Sequence, residues 1–290
     1  MRNFPVAIIG LGLLGSSLGL ALRKKFEGQI AIVGFDNNAQ AMNDALKIRS
    51  VHYVTNNMKS AVEQAEIVFL ALPMLEMLYV VREIVPFIKK GTILTDVGST
   101  KNYVTEDILS LLPQDVHFIP AHPIAGSEKS GPLSASADLF VGKKYIFTTY
   151  KGIDEEALNK VKKLIEKMGA DDKSMDIKEH DKVISLTSHI PQIASSALVN
   201  LIGKHENVES ILSLIGTGFE SMTRLATSDP KMWTEICLTN KENIVEDIDK
   251  LKDILDELKS AIINEDQEKI NEYFQKAKVI KESLKENIVF

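Results

Sequence analysis

The sequence predicts an α/β protein: a doubly wound, mostly parallel sheet followed by an all-helical region. Three observations carry that prediction. Short continuous apolar runs alternate with helix-spaced segments in the first half, as strands buried on both faces and their crossover helices do. A glycine-rich turn, Gly10-Leu11-Gly12-Leu13-Leu14-Gly15, follows the first run directly. Past residue 176 the strand patterning disappears, and apolar residues recur at three- and four-residue spacing among Lys and Glu.

The elements follow in order. Residues 5–9 form the first apolar run, closed by Gly10. Residues 13–25 have helical spacing, with Leu14, Leu18 and Ala21 on one side. Further β runs span 30–35 (closed by Asp36), 67–72 (stopped by Pro73), 91–97, 116–119 and 145–149. A helix over 154–168 and a short segment near Ser174-Met175 end this part. Residues 178–202 read as one long helix interrupted by Pro191, which removes a backbone donor and kinks the helix or begins a new one. Residues 230–263 and 265–286 read as amphipathic helices. The boundary is placed near Asp176, giving domains 1–176 and 177–290, with no Gly/Ser/Pro-rich linker between them. Helices of this kind bury their apolar faces within the chain or against a second copy; the second option predicts a homodimer.

Composition narrows the class. A chain of 290 residues is long for one core. A net charge of −6 gives no reason to expect a nucleic-acid partner. No apolar run approaches the ~20 residues needed to cross a bilayer, and the N-terminus lacks a signal-peptide layout. Cys237 is the only cysteine, and no histidines sit at metal-ligand spacing, so neither a disulfide nor a metal site is expected. A cytoplasmic protein is the expectation.

The glycine turn matches G-x-G-x-x-G in the context that makes the pattern informative: after a strand, opening a helix, with an acid downstream. Gly10 permits the tight turn, Gly12 lets the backbone approach a pyrophosphate, and Gly15 lets the helix pack on the sheet. The diphosphate then lies over the helix N-terminus. Asp36, at the end of the second strand, accepts from ribose hydroxyls and repels a 2′-phosphate, and Asn37-Asn38 supply no cation for one. The expected cofactor is NAD on a Rossmann-type domain. Leu72 and Pro73 are expected along its path. Ser99 reads both as a helix N-cap and as a hydroxyl facing the ligand crevice.

His122 heads the small, polar segment Ala121-His122-Pro123-Ile124-Ala125-Gly126-Ser127-Glu128-Lys129-Ser130-Gly131. A strand-exit imidazole near a nicotinamide can handle the proton that accompanies a hydride. Among 34 basic residues only five are arginine, and Arg224 alone lies outside the first half. Its planar fork suits a carboxylate better than lysine does. His52, His117, His180 and His205 have no supporting context and read as ordinary.

The glycine turn, Asp96-Val97-Gly98-Ser99-Thr100-Lys101, the His122 segment, Ser188-His189-Ile190-Pro191, and the stretch from Gly218 through Arg224 to Trp233 resemble, in the same order, the prephenate dehydrogenases. The resemblance implies a Rossmann domain and a helical dimer-forming domain that oxidatively decarboxylate prephenate with NAD⁺ on the route to tyrosine. It implies His122 as proton acceptor with Ser99 orienting the same hydroxyl. It also implies Arg224 and His189 as substrate contacts, Trp233 as an apolar wall, and Ser127 and Glu128 in the substrate loop. Ser221 stands where relatives often carry an acid, which puts any arginine-orienting network through that acid in doubt. No segment for a fused chorismate mutase or a regulatory β-containing domain is expected, so tyrosine inhibition would act in the substrate pocket. Arogenate dehydrogenase remains open, since its ring chemistry is identical. A β-hydroxyacid dehydrogenase would use a helical lysine, with Lys241 the candidate, and a cofactor-binding sensor would not need His122, Ser99 and Arg224 together.

Overall fold

The computed structural model describes residues 4–126 and 129–287. Six strands form the main sheet: β1 (Phe4–Ile9), β2 (Ile30–Phe35), β3 (Tyr53–Val54), β4 (Ile67–Leu70), β5 (Ile93–Asp96) and β6 (His117–Ile119). All its pairings are parallel, in the order β3-β2-β1-β4-β5-β6. The helices among them are α1 (Leu13–Lys25), α2 (Ala39–Lys47), α3 (Met58–Val62), α4 (Met74–Ile84) and α5 (Asn102–Leu111). Period-two alternation sends Val6 and Ile8 of β1 to one core and Ala7 and Ile9 to the other. Both faces are therefore covered, as the continuous apolar runs require. The order reverses between β1 and β4, which opens a crevice at their C-terminal ends.

A second sheet departs from the single-sheet expectation. β7 (Ala121–Pro123), β8 (Lys144–Thr149) and β9 (Asp171–Asp176) form it, with β7–β8 antiparallel and β8–β9 parallel. The run at 145–149 belongs here and not to the main sheet. The segment near Ser174-Met175 is a full strand, paired in parallel with β8 across the connecting helix α6 (Glu155–Lys167), a pairing its polar sequence does not show.

The helical region runs through α7 (Ile177–Ile184), α8 (Ile190–Gly203), α9 (Val208–Leu212), α10 (Thr217–Thr223), α11 (Pro230–Thr239), α12 (Lys241–Ile263) and α13 (Gln267–Asn287). Pro191 acts as expected: α8 begins beside it, after a π-helical turn over Ser185–His189. The single helix expected over 230–263 is instead broken at Asn240, whose backbone leaves helical geometry (φ −120°, ψ 32°). The chain falls into two compact units, Met1–Lys241 and Glu242–Phe290. The first includes Asp176, where β9 meets α7. In the second, α12 and α13 leave Ile254, Leu255, Ile263, Phe274 and Ile280 exposed. No helix among the described residues is long and apolar enough to cross a membrane.

Candidate active site

The glycine turn is built for a close backbone approach. Gly10 has φ +94°, and a Cβ there would sit on the carbonyl oxygen of Ala71. A Cβ on Gly15 would sit on the carbonyl oxygen of Gly10, so this residue sets the seating of α1. Gly12 differs: nothing lies within 4 Å of its absent Cβ. Gly12 is also the N-cap of α1, and no side chain caps that helix. Open space over uncapped N–H groups at a helix N-terminus fits a diphosphate. Asp36 holds the turn in place. Its carboxylate accepts from Leu11 N at 2.7 Å and from Asn38 N at 2.8 Å, while Asn38 caps α2.

A cleft of about 520 Å³ extends from this turn, within the ~300–1,000 Å³ of small-molecule sites. One wall is Gly12, Leu13, Leu14, Leu72 and Pro73; Ser99 and His122 follow; His189 and Trp233 line the far side. The structure thus brings together most of the residues expected to act together. Arg224 is exposed, opening the turn Arg224–Thr227, and is not among the lining residues; Ser228, just downstream, is. Ser127 and Glu128 lie outside the described residues; Gly126 and Lys129 beside them line the cleft. Lys241 is exposed at the start of α12 and is not part of the lining.

His122 does not leave a strand of the main sheet. After β6, Pro120 redirects the chain, and His122 sits in the middle of β7, opposite Ile146. Its position is clamped from below. Asp96 accepts from Ala121 N at 3.0 Å, and Lys101 Nζ donates to Ala121 O at 2.9 Å. Lys101 and Asp96 form a buried ion pair, and Asp96 also accepts from Gly98 N at 2.9 Å. Burial lowers the Lys101 ammonium pKa against the opposing pull of Asp96 and Asp181.

Two side chains run behind the imidazole. His122 Nδ1 lies 3.0 Å from His180 Nε2, and His180 Nδ1 lies 2.7 Å from Asp181 Oδ1. His180 and Asp181 are 0% and 1% exposed, so these contacts face no competition from water. Asp181 also accepts from Lys101 N at 2.9 Å and Asn102 N at 2.8 Å, capping α5. Ser99 is therefore not the N-cap of α5; a carboxylate from α7 takes that role, and the Ser99 hydroxyl is left for the cleft. His180, ordinary by sequence, lies directly behind His122 and outside the cleft lining. The adjacent His180-Asp181 pair was the available signal, but such a pair gains meaning only when its partner is known.

The far wall offers donors. Asn240 Nδ2 donates to Asp181 O at 2.8 Å and lies 3.2 Å from His189 Nδ1. With that amide donating, Nδ1 accepts and His189 Nε2 carries the proton. His189 Nε2 and Trp233 Nε1 are both buried without a hydrogen-bond partner, and their rings meet edge-on at 5.9 Å. Two buried N–H groups lacking acceptors are costly unless a ligand supplies one. Burial lowers His189 to about 4, with Asp181 opposing and His180 adding to the effect, so the ring is a neutral donor. Burial, then His180, Lys101 and His189, hold His122 well below the usual imidazole value. It is a neutral base at working pH.

The chain is similar to known proteins over nearly its whole length. Residues 18–172 match the family model described as prephenate dehydrogenase, nucleotide-binding domain, and residues 176–276 match prephenate dehydrogenase, dimerization domain. Prephenate dehydrogenase of Bacillus subtilis is 33% identical over 281 residues, 96% of this chain and 76% of that protein. The Lactococcus lactis enzyme is 34% identical, covering 96% and 77%. Among solved structures, Aquifex aeolicus prephenate dehydrogenase in complex with hydroxyphenyl propionate and NAD⁺ superposes with a TM-score of 0.91 at 30% identity, covering 98% of this chain and 99% of that one.

Proposed function

Because the chain belongs to the prephenate dehydrogenase family, we propose that it catalyses the NAD-dependent oxidative decarboxylation of prephenate to 4-hydroxyphenylpyruvate. One observation carries the reading: His122, a neutral imidazole with its Nδ1 engaged behind it, shares one cleft with the open glycine turn. Gly12 and the N-terminus of α1 would hold the NAD diphosphate, and Asp36 the adenosine ribose. Bound NAD⁺ supplies the hydride acceptor. His122 takes the proton of the substrate's ring hydroxyl at Nε2, and Ser99 orients that hydroxyl. His189 and Trp233 present N–H donors to a substrate carboxylate, with Arg224, beside the Ser228 rim, the guanidinium for the second one. Ring aromatisation drives loss of carbon dioxide, and the protein's part is to hold the geometry.

Residues 1–176 serve the cofactor, and residues 177–290 complete the substrate wall and form a homodimer. The exposed apolar residues of α12 and α13 support that assembly. The enzyme acts in the cytoplasm. Tyrosine competes for the substrate cleft; inhibition non-competitive with prephenate would contradict this. The decisive assay follows NADH absorbance with prephenate and with arogenate, each repeated with NADP⁺. NADH formation with prephenate is expected. No reduction of NAD⁺ by either substrate would overturn the proposal.

A further inference from the structure

We propose that His180 and Asp181 are positioning residues that fix the tautomer of His122 and hold its charge after it accepts a proton. The inference rests on the reading of His122 as base. It follows from counting protons along the buried chain. Asp181 already accepts two backbone N–H groups, from Lys101 and Asn102, and an ionised carboxylate only accepts. His180 Nδ1, 2.7 Å away, must therefore carry its proton and donate it. That leaves His180 Nε2 as an acceptor. His122 Nδ1, 3.0 Å away, must in turn carry a proton and donate. Of the two nitrogens left unprotonated, His180 Nε2 is used as that acceptor, and His122 Nε2 belongs to a residue that lines the cleft.

The same order serves the reaction. As the substrate O–H bond breaks, its proton forms the Nε2–H bond of His122, and the electron pair stays on the substrate oxygen. His122 becomes an imidazolium whose Nδ1–H points at His180 Nε2, and His180 is polarised by the Asp181 carboxylate. The buried Lys101 ammonium opposes a cation at His122, with Asp96 paired to it. The Asp181 carboxylate, reached through His180, is the negative charge behind the ring that offsets this opposition.

Substitutions separate the roles. In Asp181→Asn, the amide oxygen keeps the backbone N–H groups of α5 and the amide nitrogen faces His180 Nδ1. Both tautomers then invert, and His122 Nε2 becomes a donor that cannot act as base. Turnover should fall about 10²–10⁴-fold, with NAD⁺ affinity unchanged. In His180→Gln, the side-chain oxygen accepts from His122 and its nitrogen donates to Asp181, so polarity is kept and kcat should stay within about tenfold of wild type. His180→Phe removes the acceptor and should lose at least as much as Asp181→Asn. Asp181→Asn with wild-type kcat, or His180→Gln as inactive as His180→Phe, would overturn the proposal.

A measurement free of activity closes the test. Long-range ¹H–¹⁵N correlation spectra of histidine-labelled enzyme, resolved by a His122→Asn control, report the His122 tautomer. The Nδ1–H form is expected in wild type; the Nε2–H form would overturn the pair's role. His122→Asn with normal turnover would instead sink the assignment of the base.

Discussion

The carboxylate of Asp181 accepts the backbone N–H of Lys101 at 2.9 Å, across eighty residues of sequence. One side chain thereby caps the helix that starts beside the cofactor crevice and anchors His180 behind the candidate base. Cofactor side and proton side share a single buried acceptor. Thr100 and Thr239, hydroxyl to hydroxyl at 2.9 Å, tie the same loop to α11.

His122→Asn is expected to lower kcat about 10²–10⁴-fold, because a general base is removed. NAD⁺ affinity, read by fluorescence titration, should not change, since His122 lies apart from the glycine turn in the chain and contributes no anion-binding group. An equal loss in both would mean that the histidine acts on cofactor binding.

Activity should persist to acidic pH. His122 is held below 6.5 by burial and by His180, Lys101 and His189, so it remains an unprotonated base until pH drops under that value. The acid limb of kcat/KM should therefore fall below pH 6.5. A midpoint above 6.5 would show that Asp96 and Asp181 outweigh Lys101 and burial.

Stability carries its own pH signature through His189. Its folded pKa of about 4 lies below the unfolded 6.5, so the unfolded chain binds more protons between those values. The contribution is complete above pH 6.5 and is lost as pH falls toward 4, by up to roughly 3 kcal/mol. His189→Gln should flatten urea-unfolding stability across that window. An unchanged slope would refute the buried neutral ring.

Gly12→Ala and Gly15→Ala should separate binding from folding. The added methyl at Gly12 meets open space, so the melting temperature should hold while NAD⁺ affinity drops. At Gly15 it meets the Gly10 carbonyl, and overpacking of this kind costs about 1–3 kcal/mol. Equal melting temperatures for the two variants would be inconsistent with this geometry.

Asn240→Ala should raise KM for the substrate. It leaves His189 Nδ1 and the Asp181 carbonyl short of a donor, at a cost of about 1–3 kcal/mol in stability. Calorimetry and steady-state kinetics on the same sample would check both effects; a KM equal to wild type would show that the amide does not orient His189.

Local chemistry explains what could be read without coordinates. The glycine turn, Asp36 and the apolar runs 30–35 and 67–72 are recognisable from neighbouring residues, the last ending as a strand at Leu70, and Leu13–Lys25 is helical where its spacing predicts. Pro191 likewise marks the start of α8, because a missing N–H acts wherever it stands. The break at Asn240 carries no such mark. Its neighbours are ordinary helix residues, and the amide leaves the helix to meet Asp181 and His189.

By itself, then, the sequence determined the α/β order, the cofactor turn and the family, through features that depend on residues a few positions apart. It also pointed to His122, His189 and Trp233 by kind. Only the tertiary structure decided which nitrogen of His122 is free, who caps α5, and that His180 belongs to the site. Those outcomes depend on hydrogen bonds between groups 58 and 80 residues apart, in an interior dry enough for each proton to have one place to go.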